Sequence, residues 1–347
     1  MNRKLILLMA FSLFGFLSCK GFTNLPVDAF EKMRAEDAST LLLDVRTAEE
    51  FAEGHLPGAI HLDWFGSGFL ESAQKMLDPA CPVMVYCRSG KRSAAASAKL
   101  ARSGFQVYNL EGGYLAWKEA GKPVTLYEVE RFCTHSGVPV EMTLIKHGSL
   151  ALSYKGLSIQ VDPVAGYGRP TDYAAEFPRA DIILVTHEHP DHLDDATLAD
   201  LTGESTRLLL NAKSAAIIGR GEVIGNGESR ELPEGILLEA VPAYNTTPGR
   251  EKFHPRGNGN GYVLSIDGLR IYIAGDTEDV PEIADLRDID VALLPVNQPY
   301  TMTVEQCIKA AETIRPKVLI PYHFSQTDLS GLEEALPGMD VRMRQMQ

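Results

Sequence analysis

The run Ile182-Ile183-Leu184-Val185-Thr186-His187-Glu188-His189-Pro190-Asp191-His192-Leu193 constrains this chain more than any other stretch. Its apolar, β-branched first half predicts a buried strand, and three histidines and an aspartate arrive as soon as that strand ends. Imidazole and carboxylate ligate zinc, manganese or iron(II). Four such side chains within six positions, at 187, 189, 191 and 192, exceed what one tetrahedral structural ion draws from so short a loop. The pattern predicts two divalent ions, or one with open positions, at the end of a strand.

With 347 residues the chain is long enough for two domains with separate cores, and 45% hydrophobic with 23% charged residues argues against disorder. A formal charge of −13 excludes a sequence-wide attraction to nucleic acid or anionic lipid, so a small-molecule substrate is expected and no nucleic-acid partner. Residues 1–19 stand apart: Asn2-Arg3-Lys4 supply a positive start, 5–17 are almost wholly apolar, and Ser18-Cys19 follows. This reads as an export signal, too short for a spanning helix. Phe16-Leu17-Ser18-Cys19 resembles a bacterial lipoprotein processing box, with Phe16 in place of the usual aliphatic residue. The resemblance implies an exported lipoprotein on the periplasmic or cell-surface side, touching the membrane only through a lipid on Cys19. The remaining Cys81, Cys87, Cys133 and Cys307 are too few and scattered for a disulfide framework and contain no C-x-x-C clip.

Between residues 22 and 122, short apolar runs (40–45, 83–86, 107–110) alternate with helical patterns (48–53, 93–102, 114–119). That alternation predicts a small α/β domain with a largely parallel sheet. The chemical signal is Val85-Tyr86-Cys87-Arg88-Ser89-Gly90-Lys91-Arg92-Ser93, in which a strand delivers Cys87 to a tight loop opening a helix. Backbone N–H groups there favour an anion, and Arg88, Lys91 and Arg92 add positive charge, so a thiolate is expected at Cys87. The whole domain resembles the rhodanese family: Asp44-Val45-Arg46, Glu50-Phe51, Gly54-His55-Leu56-Pro57-Gly58, the Cys87 loop, then Glu111-Gly112-Gly113 and Trp117 follow its pattern in order. The resemblance implies that Cys87 accepts sulfane sulfur as a persulfide from a donor for a thiol acceptor. Residues Arg88, Ser89, Gly90, Lys91 and Arg92 would cradle it, while Asp44, Arg46 and His55 hold the fold. Cysteine phosphatases use a comparable cradle but separate cysteine from arginine by five residues; Cys87 and Arg92 are separated by four.

Residues 123–140 show no clear period and read as a connection with one helical turn near 126–132. From Glu141 to the end at 347 a second domain is expected, beginning with strands at 142–145, 151–154 and 157–161, the last two joined by Lys155-Gly156 as a hairpin turn. Residues 141–325, with the His187 cluster at their centre, resemble the metallo-β-lactamase superfamily, in the branch of ascorbate-phosphate lactonase-like metal-dependent hydrolases. The resemblance implies two β-sheets sandwiched between helices. It places His187 and His189 on one metal, Asp191, His192 and His323 on the other, and Asp276 between them. Asp162 would buttress the loop by hydrogen bonding. His147-Gly148 is similar to a His-Gly or Gly-His element of that branch, and reads equally as an ordinary turn. One position departs from the pattern: Asn245 stands where a histidine ligand is expected, and amides are poor ligands for first-row metals. His254, shortly after, is the expected substitute; a substrate contact or a surface histidine is the alternative. Arg256 to Tyr262 is glycine-rich but precedes a strand, which argues for a close approach or a plain turn rather than a phosphate cradle.

A divalent-metal pair lowers the pKa of a water held between the ions, which points to hydrolysis of an ester, lactone, amide or phosphoester. The expected cofactor is two zinc ions, with manganese or iron as alternatives. The presence of a rhodanese domain raises a second reading, since relatives that combine these folds include persulfide dioxygenases with a single iron(II). A third is a metal- or ligand-binding surface protein without catalysis, prompted by Asn245.

Overall fold

A computed structural model describes residues 21–36, 40–344 and 346. The export signal and Cys19 lie outside the described residues. The chain divides into two compact units at Val124 and Thr125.

The first unit runs β1 (Thr23–Leu25), α1 (Val27–Glu36), β2 (Leu41–Asp44), α2 (Ala48–Ala52), β3 (Ala59–His61), α3 (Phe69–Met76), β4 (Val83–Tyr86), α4 (Lys91–Arg102), β5 (Val107–Leu110) and α5 (Gly113–Glu119). The five strands are all parallel, in the order β1-β5-β4-β2-β3. Each residue of β4 is buried, so this central strand carries Cys87 to the middle of the sheet's carboxyl edge. The Asp44–Arg46 pair is buried and forked, with Arg46 Nη2 2.6 Å from Asp44 Oδ2 and donating also to Gly54 O at 2.8 Å. His55 lies flat on Phe51, ring centroids 3.7 Å apart. These contacts hold turns in place, as expected of the three residues.

The second unit runs β6 (Glu128–Cys133), β7 (Pro139–Lys146), β8 (Ser149–Tyr154), β9 (Leu157–Val161), α6 (Tyr173–Glu176), β10 (Ala180–Val185), α7 (Asp195–Leu201), β11 (Thr202–Leu210), α8 (Ala212–Ile218) and β12 (Glu222–Val223). It continues through β13 (Ser229–Leu232), β14 (Ile236–Ala243), β15 (Gly259–Ile266), β16 (Leu269–Ile273), β17 (Val291–Pro295), α9 (Val304–Ile314), β18 (Val318–Tyr322), α10 (Leu332–Ala335) and β19 (Asp340–Val341). Two seven-stranded sheets result, ordered β12-β11-β10-β9-β8-β7-β6 and β13-β14-β15-β16-β17-β18-β19. Each is antiparallel through its first four strands in sequence and parallel thereafter.

Strand alternation explains the layers. Ile182 and Leu184 of β10 pack with Leu238, Leu264, Ile271, Leu293 and Ile320 of the opposite sheet, in one cluster between the sheets. Ile183 and Val185, on the other face of β10, pack with Leu198 and Leu201 of α7. On the far side, Leu294 and Leu319 meet Cys307, Ala310, Ala311 and Ile314 of α9. Both faces of β10 are therefore buried, which is why it reads as an unbroken apolar run. The hairpin at Lys155-Gly156 has φ of 50° and 82°, the paired positive values that match a two-residue turn to the strand twist.

The segment read as a helical turn near 126–132 is instead strand β6, paired antiparallel with β7 from Glu128↔Leu144 to Cys133↔Pro139. Its sequence, Glu-Val-Glu-Arg-Phe-Cys, is too charged to announce a strand. The charges are met from elsewhere: Arg131 pairs with Glu141, while Arg342 and Arg344 pair with Glu130. Among the described residues, no helix is long and apolar enough to cross a membrane.

Candidate functional site

Strand ends from both sheets of the second unit converge on one buried cluster. The ends of β7, β9, β10, β16 and β18 release His147, Asp162, His187, Asp276 and His323 respectively, directly or within three residues. Backbone hydrogen bonds join the sheets beside it: His323 N donates to His147 O at 3.2 Å and Asn260 N to Thr186 O at 3.0 Å. Three of the cluster's residues sit in left-handed backbone, His147, Asp162 and His323, with φ of 46°, 44° and 49°. Non-glycine residues rarely adopt that conformation, and it concentrates at sites the surrounding structure over-determines.

The ligand-type side chains fall into three overlapping sets, each with its donor atoms within 4.8 Å of one another: His187, His189 and His254; His147, Asp191, His192 and His323; and His187, His192 and Asp276. All seven residues singled out in the sequence as metal ligands are therefore in one place, with Asp276 between two half-sites. Asp276 Oδ2 lies 3.1 Å from His254 Nε2, and Oδ1 lies 3.4 Å from both His192 Nε2 and His323 Nε2. His147 joins them: its Nε2 is 3.1 Å from Asp191 Oδ2 and its ring packs on His323 with centroids 3.6 Å apart.

The imidazoles are oriented from behind. Asp162 accepts Thr186 N at 2.7 Å and Thr186 Oγ1 at 2.6 Å, and its Oδ2 lies 2.7 Å from His192 Nδ1. The Thr186 hydroxyl, having donated its proton, accepts from His187 Nδ1 at 3.0 Å. His254 Nδ1 donates to Tyr300 O at 3.1 Å. Each ring thereby commits one N–H and turns its other nitrogen's lone pair into the cluster. His187 Nε2 faces His189 Nδ1 at 3.0 Å, and His192 Nε2 faces His323 Nε2 at 3.0 Å. Facing lone pairs at that separation call for a cation shared between them.

Asn245 does not enter the ligand set. Its Nδ2 donates to Tyr300 O at 2.6 Å and Arg250 O at 3.2 Å, and its backbone N donates to His254 O at 2.9 Å. It closes the base of the loop that returns His254 beside it. Glu278, fully buried, accepts Thr246 N and Thr247 N at 2.8 Å and 2.6 Å and holds the same loop. The glycine-rich stretch makes a close approach: a Cβ on Gly261 would stand 2.8 Å from Ala274 O, and Asn258 Nδ2 donates to Glu188 Oε2 at 2.8 Å.

The electrostatics suit a cation. Burial opposes a charge on His192, yet Asp276, Asp162 and Asp191 together push its pKa up to about 10, so without a metal a proton occupies the place on Nε2 that a cation would take. Burial and then the neighbouring His192 charge hold His187 well below its ordinary value, so it offers a neutral imidazole. Burial works against an ionised Asp276, but His323 and His192 keep it a carboxylate. His254 Nε2 and Asp276 Oδ1 are buried, with cluster atoms 3.1 Å and 3.4 Å away, yet neither makes a well-aligned hydrogen bond. At Gly148 any Cβ would stand 2.7 Å from His192 Cε1, so the backbone leaves that ring its room. Donor chemistry, orphaned atoms and clearance all fit a divalent metal.

In the first unit, Cys87 is buried at 1% exposure below the start of α4. Burial alone would raise its pKa; the Ser93 hydroxyl, 3.5 Å from Sγ, and the backbone N–H groups of Ser93, Ser89 and Gly90 outweigh it and lower the pKa. Gly90 has φ of 87°, and Gly113 lies so close to Cys87 O that a side chain would clash. Arg88 and Ser89 on the loop and Lys91 at the start of α4 are exposed. Arg92 is already paired, its Nη1 2.7 Å from Glu50 Oε2, and this pairing lowers the Glu50 pKa to about 2. The cradle is thus mainly backbone, with Arg92 fixed at its edge.

A sheet sandwich bearing this histidine-aspartate cluster defines a metal-dependent hydrolase, joined in one chain to an α/β unit with a cysteine loop. Residues 141–323 match the model of the beta-lactamase superfamily domain, and the chain belongs to that family; residues 26–120 match the rhodanese-like domain. A UPF0173 metal-dependent hydrolase of Pyrococcus furiosus is 34% identical over 195 residues, covering 54% of this chain and 85% of the relative. A crystal structure from Parabacteroides distasonis, named as a metal-dependent hydrolase, is 52% identical and covers 64% of this chain and all of its own, with a TM-score of 0.61. Igni18, a metallo hydrolase from Ignicoccus hospitalis, is 25% identical over 60% of this chain and 95% of its own, with a TM-score of 0.51.

Asp162→Asn replaces an acceptor facing His192 Nδ1 with an amide, and metal affinity should fall by roughly ten- to a hundredfold in a chelator competition; an unchanged affinity would show that the buttress is dispensable. Ser93→Ala removes a stabiliser of the Cys87 thiolate. Its alkylation by iodoacetamide, which proceeds through the thiolate and so rises as pH passes the pKa, should shift to higher pH in the variant.

Proposed function

We propose that the second unit holds two divalent ions, zinc first, and hydrolyses an ester, lactone, amide or phosphoester. The observation that carries this is the pairing of two half-sites across Asp276: His187, His189 and His254 on one side, and Asp191, His192 and His323 on the other. That is more ligand than a single ion uses, and it favours hydrolysis over one-iron persulfide oxidation. Ions held there would supply a hydroxide nucleophile at neutral pH and polarise the bond under attack. The chain's own contribution is orientation and charge. Asp162 and Thr186 fix the His187 and His192 rings, Asn245 and Tyr300 O fix His254, and Asp276 keeps its charge between the halves. Asp191 is 20% exposed at its side chain, more open than Asp162 and Asp276, and is the carboxylate we assign to proton transfer with the attacking water.

In the first unit, the Cys87 thiolate attacks the outer sulfur of a sulfane-sulfur donor. A Cys87 S–S bond forms, the donor's S–S bond breaks, and the donor leaves with the electron pair. A thiol acceptor then takes the terminal sulfur and regenerates Cys87. Residues 1–19 export the chain and leave it membrane-anchored through a lipid on Cys19.

Protein lacking residues 1–19 should purify with about two equivalents of zinc or manganese per chain. Chelation should abolish hydrolysis of an ester, lactone and phosphoester panel, and adding metal back should restore it. About one equivalent of iron, with oxygen uptake on glutathione persulfide, would replace this reading by sulfur oxidation.

A further inference from the structure

Two half-exposed tyrosines touch the ligand cluster, Tyr167 by its ring and Tyr300 by its main chain. Tyr167 packs its ring on His147, centroids 4.5 Å apart, and remains 44% exposed. Tyr300, likewise 44% exposed, stands edge-on to Phe253 at 5.0 Å, and its carbonyl accepts from His254. Through His147, whose Nε2 lies 3.1 Å from Asp191 Oδ2, the Tyr167 ring borders one half of the cluster, and Tyr300 is tied to the other half by its carbonyl on His254 Nδ1. Half-exposed aromatic rings beside buried polar ligands are the usual walls of a small-molecule site.

Most of the charged groups around this approach are already engaged. Arg250 pairs with Glu278 and Arg256 with Glu282, while Lys252 lies on the Phe253 ring and Arg169 on Tyr127. Lys213, on the neighbouring helix, pairs with Glu188. Phosphate recognition ordinarily uses free guanidinium or ammonium groups; here Arg250 and Arg256 are paired with carboxylates, Arg169 lies on Tyr127 with its Nε buried, and Lys252 keeps open donors beside the Phe253 ring.

We infer that Tyr167 and Tyr300 form an aromatic clamp that seats the apolar or aryl group of a neutral acyl substrate, an ester, lactone or amide, in preference to a phosphoester. This rests on the hydrolase reading and narrows it. Tyr167 and Tyr300 act as specificity residues; the bond-breaking groups lie beneath them.

Acetohydroxamate and benzohydroxamate chelate a metal alike and differ in carrying a methyl or a phenyl group. Both would be titrated calorimetrically into the metal-loaded full-length chain, its Tyr167→Ala and Tyr300→Ala variants, and the corresponding Phe variants, with metal content measured on each sample. The wild type should prefer benzohydroxamate by roughly tenfold. Each Ala variant should lose most of that preference with acetohydroxamate affinity unchanged, and the Phe variants should keep it. A preference that survives in both Ala variants, or hydroxamates that fail to bind protein shown to carry metal, overturns the clamp. Faster turnover of bis(p-nitrophenyl) phosphate than of phenyl acetate overturns the neutral-substrate assignment alone. Failure of every hydrolytic substrate overturns the hydrolase reading, while the hydroxamate ratio still decides the clamp.

Discussion

The carboxylate of Asp162 is the fixed point from which the metal-ligand cluster is built. It leaves strand β9 in left-handed backbone and accepts two hydrogen bonds from Thr186 while facing His192 Nδ1. One carboxylate thereby sets the path of the loop after β10 and the tautomer of two of its histidines. Such a group is effective because it is fully buried: few competing waters reach it, and a charged acceptor forms about twice as strong a hydrogen bond as a neutral one. The two sheets then bring Asp276 and His323 to the same place from the opposite layer, at the carboxyl ends of parallel strands where side chains of different strands can meet.

Most of the site was legible because its signals are local. The strand-then-ligand pattern of residues 182–193 needs no knowledge of the rest of the chain, and Asp276 and His323 share that arrangement at the ends of their own apolar runs. His147 was ambiguous for a physical reason. A histidine before a glycine in a turn looks the same whether or not its ring is used, and only the packing on His323 and the contact with Asp191 distinguish the cases. Thr186 and Glu278 carry no signal of their own in the sequence; their roles arise from partners 24 and 32 residues away.

Asn245 and His254 lie side by side at the base of one loop, and this juxtaposition supports the proposal that His254 takes the ligand position. Asn245 keeps the position at the end of β14 but spends its amide on two carbonyls, and its backbone N–H receives the loop back at His254. Strand β6 was hidden for the opposite reason. Periodicity finds strands by alternating apolar residues, and this strand instead alternates charges whose partners, Arg342 and Arg344, lie more than two hundred residues later. In the first unit the buried fork and the cysteine loop were legible because they are short-range, while the short strands β1 and β3 and the helices α1 and α3 were not read from the sequence.

In the proposed arrangement two ions would be held by these side chains, with His254 among the ligands and Asp276 reaching both halves. Anomalous diffraction from crystals of the purified protein, recorded on either side of the absorption edge of its metal, tests it most directly. The account predicts two peaks, one bounded by His187, His189 and His254 and the other by Asp191, His192 and His323, with the Asp276 carboxylate between them. A single peak on the Asp191 side, with His254 turned away from any metal, would contradict it.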